Sequence, residues 1–388
     1  MSQSRVFLVA GKRTPFGKFG GSLALLSPTE LLRSAGEALI KNLKLAPDSI
    51  DQVIVGNVLP TTADTLYSAR HLSLLLGLKE STPAYSLNRL CGSGIEAIIS
   101  AKRLIDLKEA SAVLVGGVEN MSLSPHLLYG ARFGTKYGTL PTVDILLEAL
   151  TDKNACISMA QTAEKLAEKT GITRKDCDDF SFHSHVKATQ ARQNNFLKDE
   201  IEKVKDLEHD EHVRVDATLE NFYKLKPHVQ KNGVVTAGTA SGIVDGAVCV
   251  LIANEHYCKQ YGLKPLAEII NSDVVGVDPQ FMGIGPVTSI QRLLHKTEKN
   301  MSDIDLFEIN EAFAGQVLAC VKELQLPLEK LNVWGGAIAI GHPLGATGVR
   351  IALTLARQLK LLDKGVGIAS ACIGGGQGIS IMLRCATL

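Results

Sequence analysis

"LNRLCGSGIEAIISA", residues 87–101, sets a cysteine where a polar turn of small residues becomes an apolar run. Further on, "ASAVLVGGVENMS" (110–122) is a short β-branched stretch that ends in glycine, glutamate and asparagine. Apolar residues three and four apart mark a helix, and a short unbroken apolar run marks a strand covered on both faces. The reading is therefore turn, helix, buried strand. Cys91 then stands at a helix N-terminus, where unpaired N–H groups and the helix dipole favour a thiolate. A free cysteine is otherwise a small buried packing residue, and this stretch alone leaves both readings open.

Working outward, the same order of elements recurs. "SRVFLVAGKRT" (4–14), "SIDQVIVGNV" (49–58), the Cys91 turn with its helix, and 110–122 form one series. "PLAEIINSDVVG" (265–276), "DIDLFEINEAF" (303–313), "NVWGGAIAIGHPLGATGVRIALTLARQL" (332–359) and "KGVGIASACIGGGQGISIML" (364–383) form a second. Both read as α/β segments of buried strands alternating with helices. A helix over 28–44 follows the cap residue Ser27 and has Pro28 at its first position. "GAVCVLIANEH" (246–256) supplies a last strand for the first series. Between the series, residues 119–236 hold "GARFGTKYGTL", two predicted helices (158–170 and 174–196) and a charged stretch from 198 to 226. That segment is too long, and in places too apolar, for a structureless loop. The expected division is residues 1–118 with 237–265, an insertion at 119–236, and residues 266–388.

Composition narrows the function. The 388 residues are 45% hydrophobic and 21% charged, the balance of a globular protein with a large core. A formal net charge of +1 gives no basic footprint for nucleic acid or an anionic membrane. No apolar run reaches the roughly 18 residues of a membrane span. The chain enters a strand-like run at once, so no secretion leader is expected, and "LRCATL" is not a peroxisomal tripeptide. The cytoplasm is the expected compartment. Eight dispersed cysteines without a C-x-x-C pair argue against a zinc site and a disulfide framework.

Two further small-residue turns carry candidate chemistry. "GHPLGATG" (341–348) fixes His342 between Gly341 and Pro343, and "SACIGGGQG" (370–378) sets Cys372 before three glycines. Glycines bring backbone N–H groups close to a substrate, and Cys372 is expected to be poorly covered. "GGGQG" lacks the spacing of a dinucleotide fingerprint. "HDEH" (209–212) lies in so charged a stretch that it reads as a solvated face. His183 and His185 of "FHSH" point in different directions on a predicted helix. Neither is expected to hold a metal.

Taken together, "LNRLCGSG", "NEAFA" (310–314), "GGAIAIGHPLGATG" and "SACIGGGQG" resemble the thiolase family in order and spacing. Supporting matches are "KRTPFG" (12–17), "GGVENMS" (116–122), "MAQTAE" (159–164), "TAGTASGIVDGA" (236–247) and "MGIGPV" (282–287). The resemblance runs from residue 4 to the C-terminus. It implies the thiolase fold: two similar βαβαβαββ halves in a five-layer α-β-α-β-α core, with an inserted loop domain. It also assigns roles. Cys91 resembles the residue that is acylated, and His342 its base and a donor to the thioester oxygen. Cys372 resembles the second acid and base, and Asn310 the holder of an oxyanion-hole water. The backbone N–H groups of Cys91 and Gly374 would form the other oxyanion hole. For coenzyme A the family pattern points to Met159, Arg214, Ala237, Ser241, Met282 and Phe313.

The implied activity is CoA-dependent cleavage of 3-ketoacyl-CoA and the reverse condensation, with CoA as co-substrate and no permanently bound cofactor. "RFGTKYG" (132–138) and "SACIGGGQG" resemble the mitochondrial-type 3-ketoacyl-CoA and acetoacetyl-CoA branches. A biosynthetic acetoacetyl-CoA thiolase is the same-class alternative. A non-catalytic acyl-CoA or lipid carrier on this fold would be expected to lack Cys91, His342 or Cys372. A ketosynthase would be expected to show a Cys-His-His or Cys-His-Asn set, against which Cys372 speaks. Expected partners are acyl-CoA, CoA and further copies of the chain, as a tetramer rather than a dimer, because residues 122–145 have the length of the family's assembly loop. The sequence departs from many relatives at Thr239 and at the Ala346-Thr347 pair.

The chemistry needs such residues. Breaking the bond between the α and β carbons requires a nucleophile at the β carbonyl and stabilisation of the departing enolate. A thiol acylates readily, and its thioester stays open to attack by CoA.

Overall fold

The computed structural model describes residues 5–387. Its first series is β1 (Val6–Arg13), α1 (Pro28–Leu43), β2 (Gln52–Gly56), α2 (Ser68–Leu75), β3 (Ala84–Leu87), α3 (Ser93–Asp106) and β4 (Ala112–Asn120). After an insertion with helices α4 (Met159–Thr170) and α5 (Arg174–Gln193), β5 (Val244–Asn254) completes it. The second series is β6 (Ala267–Gly276), α6 (Gly285–Lys296), β7 (Leu306–Ile309), α7 (Ala314–Leu324), α8 (Leu344–Leu361), β8 (Val366–Ile373) and β9 (Gln377–Cys385).

Local chemistry explains the elements. Ser27 accepts from the Glu30 N–H while the Glu30 carboxylate accepts from the Ser27 N–H, a capping box worth about 1 kcal/mol. Pro28, which has no N–H to lose, follows at the first helical position. Every residue of β4 is buried, as its unbroken apolar run requires.

The strands run in the order β7-β8-β9-β6-β1-β5-β4-β2-β3, with a two-residue strand, Gly17–Lys18, on β5. Each half therefore pairs its strands in the same order, and the halves join antiparallel through β1 and β6 at Phe7–Glu268 and Leu8–Ala267. One difference breaks the repeat. The second counterpart of β3 shrinks to a single bridge between Phe307 and Leu331. Asn332 and Gly335, both at positive φ (43° and 81°), turn the chain away there.

Three apolar clusters separate five layers. α1 and α2 cover the outer face of the first half through Leu31, Leu32, Leu72, Val53 and Val55. α6 and α7 cover the second through Ile290, Leu293, Val317, Phe307 and Ile368. Between the halves, α3 and α8 fill the centre with Ile95, Ile98, Val349 and Leu353. A helix buried on every side must be largely apolar, and α8 is: of its buried residues only Thr347, Arg350, Thr354 and Gln358 are polar, and Arg350 pairs with Glu308 at 2.9 Å. Among the described residues no helix is long and apolar enough to cross a membrane.

Candidate active site

The loops at the ends of β3, β7 and β8 and the turn before α8 converge on one cavity of about 320 Å³. Cys91, His342 and Cys372 line it with Met159, Ser241, Met282 and Phe313. Its remaining wall is largely apolar, including Met121, Leu147, Leu150 and Leu344. Cys91 packs with Leu150 against the Leu59–Met121–Leu344 cluster, and Cys372 against Met159, Met282 and Ala312. The two thiols thus stand on two adjoining apolar surfaces.

Cys91 sits in a tight turn (Leu90–Gly92) directly before α3. Leu90 is held at φ 45°, a left-handed conformation that non-glycine residues adopt at a cost of roughly 1–3 kcal/mol. The turn is pinned locally: the Asn88 side-chain oxygen accepts from the Leu90 N–H at 2.8 Å, and the Ser93 hydroxyl donates to the Leu90 carbonyl at 2.7 Å. Burial pushes the Cys91 thiol up to about 11, and the N–H of Gly374 pulls the other way. The helix N-terminus is expected to favour the thiolate, and burial works against it. Desolvation in an apolar wall outweighs the nearby donors.

His342 lies between Gly341, at φ 98°, and Pro343. Its backbone N–H donates to the Gly242 carbonyl at 2.9 Å. Its Nδ1 is 2.6 Å from the Thr347 hydroxyl, and its Nε2 is 3.3 Å from the Asn310 amide nitrogen. Burial, with Arg350 adding to it, pushes the imidazole down to about 3, so the resting ring is neutral. Asn310 follows β7, its N–H on the Ser370 carbonyl at 2.9 Å. Its side-chain oxygen is buried with no protein partner. An unpaired buried acceptor is costly, and here it sits beside His342.

Cys372 is the last but one residue of β8 and is 1% exposed. The expected poor coverage is corrected: the three glycines that follow leave room for Met159, Met282, Ala312 and Phe313 to cover the thiol. Burial, and then the neighbouring Cys91, pushes Cys372 well above the ordinary thiol value. Gly374 does not line the cavity, but its N–H faces the Cys91 sulfur. Arg214 and Ala237 also stand outside it. They are joined by a 3.4 Å hydrogen bond from the Arg214 guanidinium to the Ala237 carbonyl, and Arg214 lines a separate cavity of about 340 Å³ with Phe222.

Glu119 received no role from sequence reasoning, although it stands in "GGVENMS". It is fully buried and accepts from the N–H groups of Val58, Leu59 and Gly345 and from the Asn57 amide, at 2.9–3.1 Å. Burial pushes it up to about 8 against those four donors. It ties the turn that carries His342 to the loop after β2. An acidic residue ending an otherwise apolar strand was the available signal.

The "HDEH" reading is corrected as well. The Asp210 carboxylate is buried, accepts from both terminal nitrogens of Arg13 at 2.6 and 2.9 Å, and accepts from the Phe16 N–H. His212 Nδ1 is 3.1 Å from the Ala339 carbonyl, and the buried His185 accepts from the Arg214 N–H. Among the described residues no group of three His, Cys, Asp or Glu side chains could hold a metal.

Known proteins resemble this chain in sequence and fold over its full length. Residues 6–256 match the thiolase N-terminal domain and residues 263–385 the thiolase C-terminal domain. The chain is 44% identical to the mitochondrial 3-ketoacyl-CoA thiolase of Homo sapiens, over 98% of each chain. It is 43% identical to a probable acetyl-CoA acyltransferase of Staphylococcus aureus, over 98% of this chain and 99% of the other. The crystal structure of human mitochondrial 3-ketoacyl-CoA thiolase in complex with CoA superimposes with a TM-score of 0.97 at 43% identity, over 99% of each chain. That of the Bacillus anthracis acetyl-CoA acetyltransferase does so at 0.95 and 39%, over 99% of this chain and 100% of the other. In fold, in length and in the sequence of both halves, the chain belongs to the thiolase family.

Proposed function

We propose that the protein is an acetyl-CoA C-acyltransferase that cleaves 3-ketoacyl-CoA with CoA, through acyl-Cys91, into acetyl-CoA and a shortened acyl-CoA. One observation carries the reading: two cysteines and a neutral histidine share one apolar cavity. The Cys91 proton passes to His342 Nε2 as the sulfur attacks the β carbonyl. The bond between the α and β carbons then breaks, and its electron pair takes the proton of Cys372. In the second half, the CoA thiol gives its proton to the Cys372 thiolate and attacks acyl-Cys91. Cys91 leaves as thiolate and recovers its proton from His342, so the cycle balances.

Two sets of donors serve the two oxygens that gain charge. The N–H groups of Cys91 and Gly374 face the carbonyl under attack, and His342 with an Asn310-held water faces the thioester oxygen of the enolate. Such preorganised donors typically account for about 2.7–4 kcal/mol each. Met159, Ser241, Met282 and Phe313 would contact the pantetheine arm, with Arg214 and Ala237 farther out toward the nucleotide. An arginine suits phosphate oxygens.

The assembly in this reading is a homotetramer. The hairpin His126–Leu128/Thr142–Asp144 leaves Phe133 and Tyr137 more than nine-tenths exposed, and the short edge strand β3 leaves Tyr85 exposed. Light scattering on the protein and on a variant lacking residues 129–138 tests it. Eight unbridged cysteines suit a reducing compartment, and the cytoplasm is our reading. The chain division at 118/119, 236/237 and 265/266 belongs to the same proposal. Limited proteolysis should cut first within 119–236.

The test is direct. Acetyl-CoA should leave an acetyl mass on the peptide containing residues 90–102. Cys91→Ala should fold and show no turnover. A label on Cys372 or Cys156 instead sinks the assignment. Cleavage rates on 3-ketoacyl-CoAs of increasing length separate this reading from an acetoacetyl-CoA thiolase, which would act on the shortest alone.

A further inference from the structure

The imidazole of His342 is held by its Nδ1 edge. Thr347, in the first turn of α8, sets its hydroxyl oxygen 2.6 Å from Nδ1. The same oxygen is 3.0 Å from the Pro343 carbonyl, the back-bond a helical threonine makes to the residue four before it. A hydroxyl has one proton and two lone pairs. With its proton on the Pro343 oxygen, the Thr347 hydroxyl can only accept, and the donor it faces is Nδ1–H. On the other edge, Nε2 faces the amide nitrogen of Asn310, itself a donor. With Thr347 accepting on one edge and Asn310 donating on the other, the contacts fit the tautomer with the proton on Nδ1 and a lone pair on Nε2.

We propose that Thr347 is a positioning residue for this reaction: it accepts the Nδ1–H of His342 and so leaves Nε2 bare to take the Cys91 proton. The inference rests on the roles given to Cys91 and His342 above. In that transfer the S–H bond breaks, the sulfur keeps the electron pair, a bond from Nε2 to hydrogen forms, and Nδ1–H stays on Thr347. The imidazolium so formed keeps its Nδ1 partner throughout.

The surroundings make this bond matter. Burial holds the neutral ring down at about 3, so the wall opposes the charged form unless something bonds to it. Thr347 is fully buried and His342 nearly so, which leaves little room for water to replace the hydroxyl. The β-branch adds rigidity, because threonine has few side-chain rotamers in a helix. The Ala346-Thr347 pair, a departure from many relatives by sequence, thus keeps the oxygen and stiffens its placement.

The experiment compares the wild-type enzyme with Thr347→Val and Thr347→Ser. Val keeps the shape and loses the acceptor. Its kcat should fall roughly ten- to a hundredfold, the usual effect of losing a hydrogen bond to a charged group, with KM for CoA within about twofold. The pH profile of Cys91 alkylation by iodoacetamide should move to higher pH, and Thr347→Ser should restore most of the rate. A Val variant with wild-type kcat and an unmoved alkylation profile overturns the proposal. So does a Ser variant as slow as Val, which would make the methyl group the feature that matters. Nitrogen-15 spectra of the unmutated enzyme give a reading free of folding defects. The His342 signals, identified by their loss in His342→Gln, should show a proton on Nδ1 and none on Nε2; the opposite tautomer refutes the inference. Failure of the wild-type enzyme to acylate Cys91 at all would instead refute the proposed function, a separate result.

Discussion

Gly94 of α3 and Gly348 of α8 meet backbone to backbone: a Cβ on Gly94 would lie 2.8 Å from the Gly348 Cα, and a Cβ on Gly348 would lie 2.8 Å from the Gly94 carbonyl carbon. This contact joins the two halves at the central layer. Gly94 is three residues beyond Cys91, and Gly348 is six beyond His342. Cys91 and His342 are therefore placed by one helix crossing that only glycines permit.

Gly94→Ala should show that coupling. No flexible side chain can move aside, so the helices must part. Overpacking of this kind typically costs about 1–3 kcal/mol, and a displacement of about 1 Å at a reacting pair can cost roughly a hundredfold in rate. Activity should thus fall further than the melting temperature suggests. Gly276→Ala, whose Cβ meets open space, should alter neither. A Gly94→Ala enzyme with wild-type activity would mean that the crossing does not set the distance between Cys91 and His342.

Asn310→Ala separates function from stability. The side-chain oxygen has no protein partner and the amide makes one long contact to His342, so its removal should change stability by no more than about 1 kcal/mol. Loss of an oxyanion donor should slow turnover by roughly a hundred- to a thousandfold, with CoA binding near normal. A fall below about threefold, well under 1 kcal/mol, would leave Asn310 a structural residue.

Asp210 marks where reading the sequence failed. In "HDEH" the local density of charge says solvent, yet Asp210 is buried on Arg13, 197 residues away in the chain. No local pattern carries so distant a pairing. Asp210→Ala should cost about 1–3 kcal/mol, because the buried Arg13 guanidinium loses one of its two carboxylate partners and keeps Glu200, whereas a solvated face would change by less than about 0.5 kcal/mol. Equilibrium denaturation of the two forms decides between them.

What was legible followed periodicity and punctuation. The Ser27-Pro28 start, the apolar run of β4 and the small-residue turns at Cys91, His342 and Cys372 are local signals, and each stands where it was expected. Coverage and polar partners were not legible, because they depend on the packing of distant segments. Cys372 is capped by Met159 from the insertion, and Glu119 gathers donors from two loops outside its own strand. Thr347 was visible as a departure, but its use follows only from the distance to His342.

Cys372→Ala separates the two thiols. In the proposed mechanism, acylation of Cys91 by acetyl-CoA exchanges one thioester for another and can proceed with His342 as base. Making or breaking the carbon–carbon bond also needs a group that can give and take the α-proton. Cys372 borders Cys91 in the cavity, and burial keeps its proton on until the substrate calls for it. The variant should therefore still accumulate acetyl-Cys91, though more slowly, while losing acetoacetyl-CoA cleavage and deuterium exchange at the acetyl-CoA methyl. General acid–base groups typically contribute about a hundred- to ten-thousandfold, so exchange should fall at least a hundredfold. A packing role predicts something different: acylation and exchange would fall together, in step with lost stability. If the variant exchanges deuterium at nearly the wild-type rate, Cys372 is not the base, and the enolate must take its proton from another group.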